Sequence, residues 1–348
     1  MPIRPLPPHL VNQIAAGEVV ERPASIVKEL TENSLDAGAT HVNIEVEAGG
    51  LALIRVRDNG HGIPLEELPL ALGRHATSKI STVDDLDAIT TLGFRGEALP
   101  SIASVSHFVL TSRTADQSHG GSVTRTSVEQ GEPPKPAPSA VGTTIEVREV
   151  FYNVPARRKF LRAPRTEFAH IEQMFIRLAL SRLDVHWSLS HDGRVVYDLR
   201  GELARRVREG QIPEALSQLC SEAFTAAAIP VETQDSIFSL TGWVAQPAFS
   251  RSTGDVQYVY VNGRAVRDKL IASALKQAYA DVLHHARYPA YVLYLSLPPS
   301  EVDVNAHPTK AEVRFRQPRL VYEFLLRAVR SALGAKAEVE GSVVGTQE

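Results

Sequence analysis

Residues 23–58 change their apolar period from helical to alternating, and this restricts what the chain can fold into. PASIVKELTENSLDA opens on Pro23, suited to a helix's first turn, and stops at Gly38, a common helix terminator. Ile26, Leu30 and Ala37 line one face, while Glu29, Asn33 and Asp36 recur at i, i+4 and i+7 on a polar stripe. HVNIEVE then alternates Val42, Ile44 and Val46 against Asn43, Glu45 and Glu47, the mark of a half-buried strand. Gly49-Gly50 makes a turn, and LALIRVRD is the hairpin partner, ending at Asp58 directly before NGHGI.

The same reading predicts strands at HFVLTSR, TTIEVREV and around Trp187, and helices at EALPSIASV and TEFAHIEQMFIRLALSR. Without a regular βαβ beat, this order predicts an α+β sandwich: a mixed sheet with helices gathered on one face. EPPKPAPSA, Glu132 to Ala140, reads as a stiff exposed loop. After the charged stretch Arg200–Gly210 a smaller α+β unit is expected. It holds the strand VQYVYV, an Asn262-Gly263 hairpin turn, the helix KLIASALKQAYADVL and the strand YVLYLSL. EVDVNAHP, a loop carrying Lys310, the strand AEVRF and the helix RLVYEFLLRAVRSAL complete it. From about Ala335 the apolar period fades, which reads as the start of a linker to a further domain.

Composition removes several classes. A chain of 348 residues predicts two domains with substantial cores. Its single cysteine, Cys220, excludes a disulfide framework and multi-thiolate zinc, and suits a reducing compartment. No apolar run reaches membrane-span length, and the proline-rich start MPIRPLPPHL is no signal peptide. A net charge of −3 does not announce a nucleic-acid binder, so any such role must come from local basic patches.

The chemistry concentrates on glycines. GRHATSK has serine where a Walker loop needs its second glycine, and neither a helical zinc motif nor a dinucleotide fingerprint occurs. Asp58-Asn-Gly60-His-Gly62 follows a strand: two glycines allow close packing on a flat ligand, and the carboxylate can accept from an exocyclic amine. It is also an ordinary turn. Gly93 to Leu99, GFRGEAL, places two glycines before a helix, a possible anion cradle or a plain loop-to-helix junction. Glu29 could orient a water and Asn33 could ligate magnesium, or both could line a solvated face. Arg157, Arg158, Lys159, Arg162 and Arg165 cluster in FYNVPARRKFLRAPR, and Arg264, Arg267 and Lys269 follow the Asn-Gly turn. Both sets also read as solvated surface charge.

The combination resembles a known family. NQIAAGEVVERPASIVKELTENSLDAGAT, DNGHGI, HATSKI, GFRGEAL, GTTIEV, FYNVPARRKFL and VDVNAHPTKAEVRF together are similar to the N-terminal half of the MutL mismatch repair proteins. These are GHKL ATPases, akin to DNA gyrase B subunits, a heat-shock chaperone family and histidine kinases. The resemblance implies a GHKL-type ATPase domain over 1–205 with an N-terminal dimerisation arm, a transducer domain (ribosomal S5-like) over 206–335, and a linker start over 336–348.

It further implies ATP and Mg2+ as cofactors, slow hydrolysis, and an ATP-bound homodimer exchanging an arm of about residues 1–20. Glu29 would be the general base and Asn33 the magnesium ligand. Asp58 would bind the adenine amine, supported by Gly60, Gly62 and Thr143. Gly73 to Lys79, including Thr77 and Ser78, would form a lid. Gly93, Phe94, Arg95, Gly96, Glu97, Ala98 and Leu99 would cradle the phosphates, and Lys310 would reach the γ-phosphate. The two basic clusters would bind single- and double-stranded DNA without sequence preference. Partners would be a mismatch-recognition protein, a nicking endonuclease and a helicase, in a bacterial, nucleoid-associated cytoplasmic setting. Two rival readings remain. A sensor kinase would need a helical phosphoacceptor, but His9 is the only histidine before the first pocket helix and has a proline-rich setting. A non-hydrolysing DNA adaptor is opposed by intact Glu29 and Asn33.

Overall fold

The computed structural model describes residues 17, 19–73, 76–77, 79, 96–201, 213–283, 287–303 and 313–344, with backbone alone from 335 onward. The chain divides into two compact units, Met1–Ala179 with Leu183–Glu202, and Leu180–Arg182 with Leu203–Glu348.

The first unit is built on an eight-stranded sheet of order β5-β4-β3-β6-β2-β1-β7-β8. Its strands are β1 (His41–Glu47), β2 (Leu53–Asp58), β3 (His107–Arg113), β4 (Gly120–Thr124), β5 (Lys135–Ala137), β6 (Gly142–Arg148), β7 (His186–His191) and β8 (Arg194–Leu199). All neighbours are antiparallel except β1 and β7. Helices α1 (Pro23–Asp36), α2 (Ala98–Ser104), α3 (Pro155–Arg158) and α4 (Pro164–Ser181) accompany it. The alternation read from β1 appears directly in its burial: Val42, Ile44 and Val46 are buried and His41 and Asn43 are exposed. Ile26, Val27 and Leu30 of α1 and Ile171 and Phe175 of α4 are buried in the same unit, with Phe175 edge-on to Trp187 at 6.0 Å. The α+β sheet-and-helix class is as expected.

The second unit holds a five-stranded sheet, β12-β11-β13-β10-β9. Here β9 (Ala228–Gln234), β10 (Ser239–Ala245), β11 (Gln257–Val261), β12 (Arg264–Val266) and β13 (Tyr291–Ser296) share a core with α5 (Lys269–Ala278) and α6 (Pro318–Val344). Asp268 caps α5 by accepting from the amides of Leu270 and Ile271 at 2.9 and 3.0 Å. A separate short pair joins β14 (Val302–Asp303) to β15 (Arg314–Phe315).

Three local expectations change. Part of the proline-rich loop is strand β5, paired with β4. Proline is tolerated there because β5 is the sheet's edge. Of the strand expected over AEVRF, Arg314–Phe315 forms and Val313 does not, while 311 and 312 lie outside the described residues. Helix α6 continues past Ala335 to Val344, where a linker was expected. Ala335, Lys336, Ala337 and Glu338 are strong helix formers, and an established helix propagates through such residues without a tertiary contact to hold it. Strands β9 and β10 escape the sequence reading. Among the described residues no helix is long and apolar enough to cross a membrane.

Candidate functional site

Asp58 is the last residue of β2 and lies opposite Val42 of β1. On its other side β6 brings the Thr143 amide alongside, since Arg57 pairs with Thr144. The Asp58 carboxylate is therefore fixed from three directions. Oδ1 accepts from the amides of Gly60 at 2.9 Å and Thr143 at 3.2 Å, and Oδ2 accepts from the Ser34 hydroxyl at 2.8 Å. An ionised carboxylate can accept about four hydrogen bonds, so capacity for one more donor remains.

Two glycines let the surrounding backbone close in. Gly142 has φ +115°, and a Cβ there would lie 2.1 Å from the Asp58 carbonyl oxygen. Gly62 has φ +76°, and its Cβ would lie 2.2 Å from the Arg113 carbonyl oxygen. No side chain fits either place. The Ser112 hydroxyl donates to the Gly142 carbonyl at 2.9 Å, accepts from the Ile63 amide at 2.8 Å and touches the Thr143 hydroxyl at 2.9 Å. Asp58, Gly60, Gly62 and Thr143 thus belong to one constellation. Ser34 and Ser112 complete it, and the sequence reading missed both. Ser34 carried a signal: it continues the Ile26–Leu30 apolar face at i+4 and is buried, so it is a polar group demanding a partner.

The polar stripe of α1 meets cations instead. The Lys79 ammonium donates to Asn33 Oδ1 at 2.8 Å and to Asp36 Oδ2 at 2.6 Å. The Lys28 ammonium donates to Glu29 Oε1 at 2.9 Å and to Glu32 Oε2 at 3.1 Å. Burial pulls against the charged Lys28, yet Glu32 and Glu29 outweigh it and hold its pKa above the usual lysine value. Asn33 and Asp36 therefore present hard oxygen atoms to a positive charge, the donor type magnesium takes. Among the described residues no group of three or more histidines, cysteines or carboxylates could hold a metal alone. A magnesium ion carried largely by phosphates, with one protein amide, fits that pattern.

Thr77 Oγ1 accepts from the Lys79 amide at 3.1 Å. Gly96 packs so closely on this segment that a Cβ would lie 2.6 Å from the Ala76 carbonyl oxygen. Gly96, which leads through Glu97 into α2, therefore touches the segment that holds Thr77 and Lys79. Ser78, Gly93, Phe94, Arg95, Lys310 and most of the N-terminal arm lie outside the described residues.

The basic clusters separate into exposed and committed members. Arg158, Lys159, Arg162 and Arg165 are exposed, as are Arg267 and Lys269. Arg157 is half-buried, with its guanidinium 5.8 Å above the Phe151 ring. Arg264 differs from them: it is buried, at 9% exposure. It shares the inward face of β12 with Val266, while Ala265 between them points out.

The fold agrees with comparisons to known proteins. A family model described as histidine kinase-, DNA gyrase B- and HSP90-like ATPase matches residues 21–148. Another, described as the C-terminal domain of DNA mismatch repair protein, matches residues 216–334. The solved Aquifex aeolicus MutL ATPase domain complexed with ADP aligns at 28% identity and TM-score 0.56, covering 88% of this chain and 98% of that one. A crystal structure of the N terminal domain of a DNA repair protein aligns at TM-score 0.76 and 23% identity over 94% of this chain and 98% of that one, a likeness of fold. The first unit is thus an ATPase domain of the gyrase B and histidine kinase class. MutL of Cellvibrio japonicus is 54% identical over 98% of this chain, and MutL of Xanthomonas oryzae pv. oryzae 56% over 96%. The chain belongs to the MutL family of DNA mismatch repair proteins. It spans about half the length of these relatives, 54% and 52% respectively.

Proposed function

We propose that this chain is the ATP-driven switch of a mismatch repair protein: it binds Mg-ATP, hydrolyses it slowly, dimerises when ATP is bound and holds DNA without sequence preference. The observation that carries this reading is the Asp58 carboxylate. It is fixed by three protein donors, with acceptor capacity left for an exocyclic amine, and one of those donors, Ser34, lies on the helix that bears Glu29 and Asn33. In this reading Asp58 accepts from the adenine amine, and Gly60, Gly62 and Thr143 hold the surrounding backbone in place. Asn33 carries the magnesium, exchanging the Lys79 ammonium for it. Magnesium supplies charge neutralisation on the phosphates. Glu29 orients and deprotonates the attacking water, and Gly93 to Leu99 cradle the phosphates. Thr77, Ser78 and Lys79 close over the nucleotide, and Lys310 senses its γ-phosphate.

DNA contact falls to Arg158, Lys159, Arg162, Arg165, Arg267 and Lys269, the exposed members of the two clusters. A mismatch-recognition protein, a nicking endonuclease and a helicase are the partners that such a switch would coordinate. Light scattering tests the switch. A non-hydrolysable ATP analogue should convert monomer to dimer, and Lys310→Ala should weaken that response and slow hydrolysis while nucleotide binding survives. A size unchanged by the analogue in the parent protein would rule the switch out for this chain.

A further inference from the structure

The segment from Phe151 to Arg165 carries a feature that the nucleotide site does not use. Phe160 is 83% exposed, whereas Phe151, Phe175 and Trp187 in the same unit are buried. It stands in the run Arg158, Lys159, Phe160, Leu161, Arg162, with Arg165 following, and all four of these cations are exposed. A single exposed ring is ordinary on a protein surface, but a ring set among four exposed cations is the pattern of an aromatic platform flanked by phosphate contacts.

The segment is held at both ends. The Phe151 amide donates to the Val105 carbonyl at 2.7 Å and Asn153 Nδ2 to the Ser104 carbonyl at 2.9 Å. At the far end the Arg162 amide donates to Oε1 of the buried Glu167 at 2.8 Å. In between, the Lys159 amide donates to the Pro155 carbonyl at 3.2 Å and the Phe160 amide to the Arg157 carbonyl at 2.9 Å. Arg157 turns back over the Phe151 ring and acts as a strut. The backbone therefore presents Phe160 outward, between cations that are free to meet phosphates.

We propose that Phe160 is a stacking platform for the bases of single-stranded nucleic acid, with Arg158, Lys159, Arg162 and Arg165 holding the phosphates beside it. This rests on the DNA-binding reading above and narrows it to a strand form. Contact with a duplex backbone needs only the cations. A duplex buries its base faces in its own stack, whereas a single strand offers each base face to an aromatic ring set among positive charges. An anionic lipid surface would call for a broad apolar face, and this segment offers Phe160 and the edge of Tyr152, whose ring is already stacked on His107.

Phe160→Trp gives a direct signal, because the native Trp187 and Trp243 are buried. Oligothymidylate should quench the new indole, and a duplex of equal length should not. Phe160→Ala and Phe160→Leu should each lose about 5- to 150-fold in oligothymidylate affinity at fixed salt, while duplex affinity stays within about two-fold. Lys159→Glu should weaken both and flatten the salt dependence. Equal losses on single strand and duplex, or full affinity in Phe160→Leu, would overturn the stacking role. So would Phe160-dependent capture by phosphatidylserine vesicles without a single-strand effect. A parent protein that binds neither DNA form at low salt would instead overturn the DNA reading itself.

Discussion

The Asp58 constellation at the end of β2 and the polar stripe of helix α1 build their shares of the site by different means. Around Asp58 the partners are two backbone amides and a buried hydroxyl, and Gly142 and Gly62 press against carbonyls that no Cβ would clear. Around Glu29 and Asn33 the partners are ammonium groups on flexible stems, Lys28 and Lys79. Covalent geometry and the sheet's register set the first arrangement. Ion pairs set the second, and partly exposed ion pairs exchange readily with solvent or with another cation. The Asp58 end is therefore preorganised, and the charged end is able to change partners, as the proposed exchange of Lys79 for magnesium requires.

Substitutions should break this contrast in a definite order. The largest effect belongs to Glu29→Ala. Loss of a general base typically costs ~10²–10⁴-fold in rate, so turnover should fall by that much while ATP binding, measured by calorimetry, holds. Turnover near the parent's would take Glu29 out of the base role. Next comes Asp58→Ala. A hydrogen bond to a charged group contributes about 1.5–3 kcal/mol, so ATP affinity should fall by roughly 10- to 150-fold. Guanine carries an acceptor where adenine carries its amine, so the parent should prefer ATP to GTP and the variant should lose the preference. Equal affinities for the two nucleotides in the parent would remove Asp58 from base recognition.

The smallest effects compare the two ends directly by thermal melting. Gly62→Ala forces a side chain onto the Arg113 carbonyl at a positive φ, and should destabilise by about 1–3 kcal/mol. Lys79→Met removes only a partly exposed ion pair, and should change stability by about 0–1 kcal/mol. A larger loss in Lys79→Met than in Gly62→Ala would reverse the assignment of the rigid and the exchangeable end.

Much of the site was legible because its residues are close in sequence or sit at element ends. Asp58 ends a strand whose alternation is plain, and Glu29 and Asn33 fall one turn apart on a helix with clear terminators. Ser34 was overlooked because a serine on an apolar helix face reads as a weak interruption until its acceptor is known. The burial of Arg264 was not foreseen because charge was counted along the chain rather than across the strand. The two-residue period puts Arg264 on the same side as Val266, and that side is buried.

The sequence by itself determined what depends on neighbours along the chain. Period, caps and turn residues set α1, the β1–β2 hairpin and the Asn262-Gly263 turn, since each is decided within a few residues. The family motifs added which of those elements should carry chemistry. Only the tertiary structure decided which groups meet: Ser34 and Thr143 reach Asp58 across 24 and 85 residues, and Lys79 reaches Asn33 across 46. It also decided that Pro136 sits in an edge strand, that Arg157 braces a ring, and that Phe160 stays in water. Those outcomes depend on strand order and on which face of each element is covered, and both are properties of the packed whole.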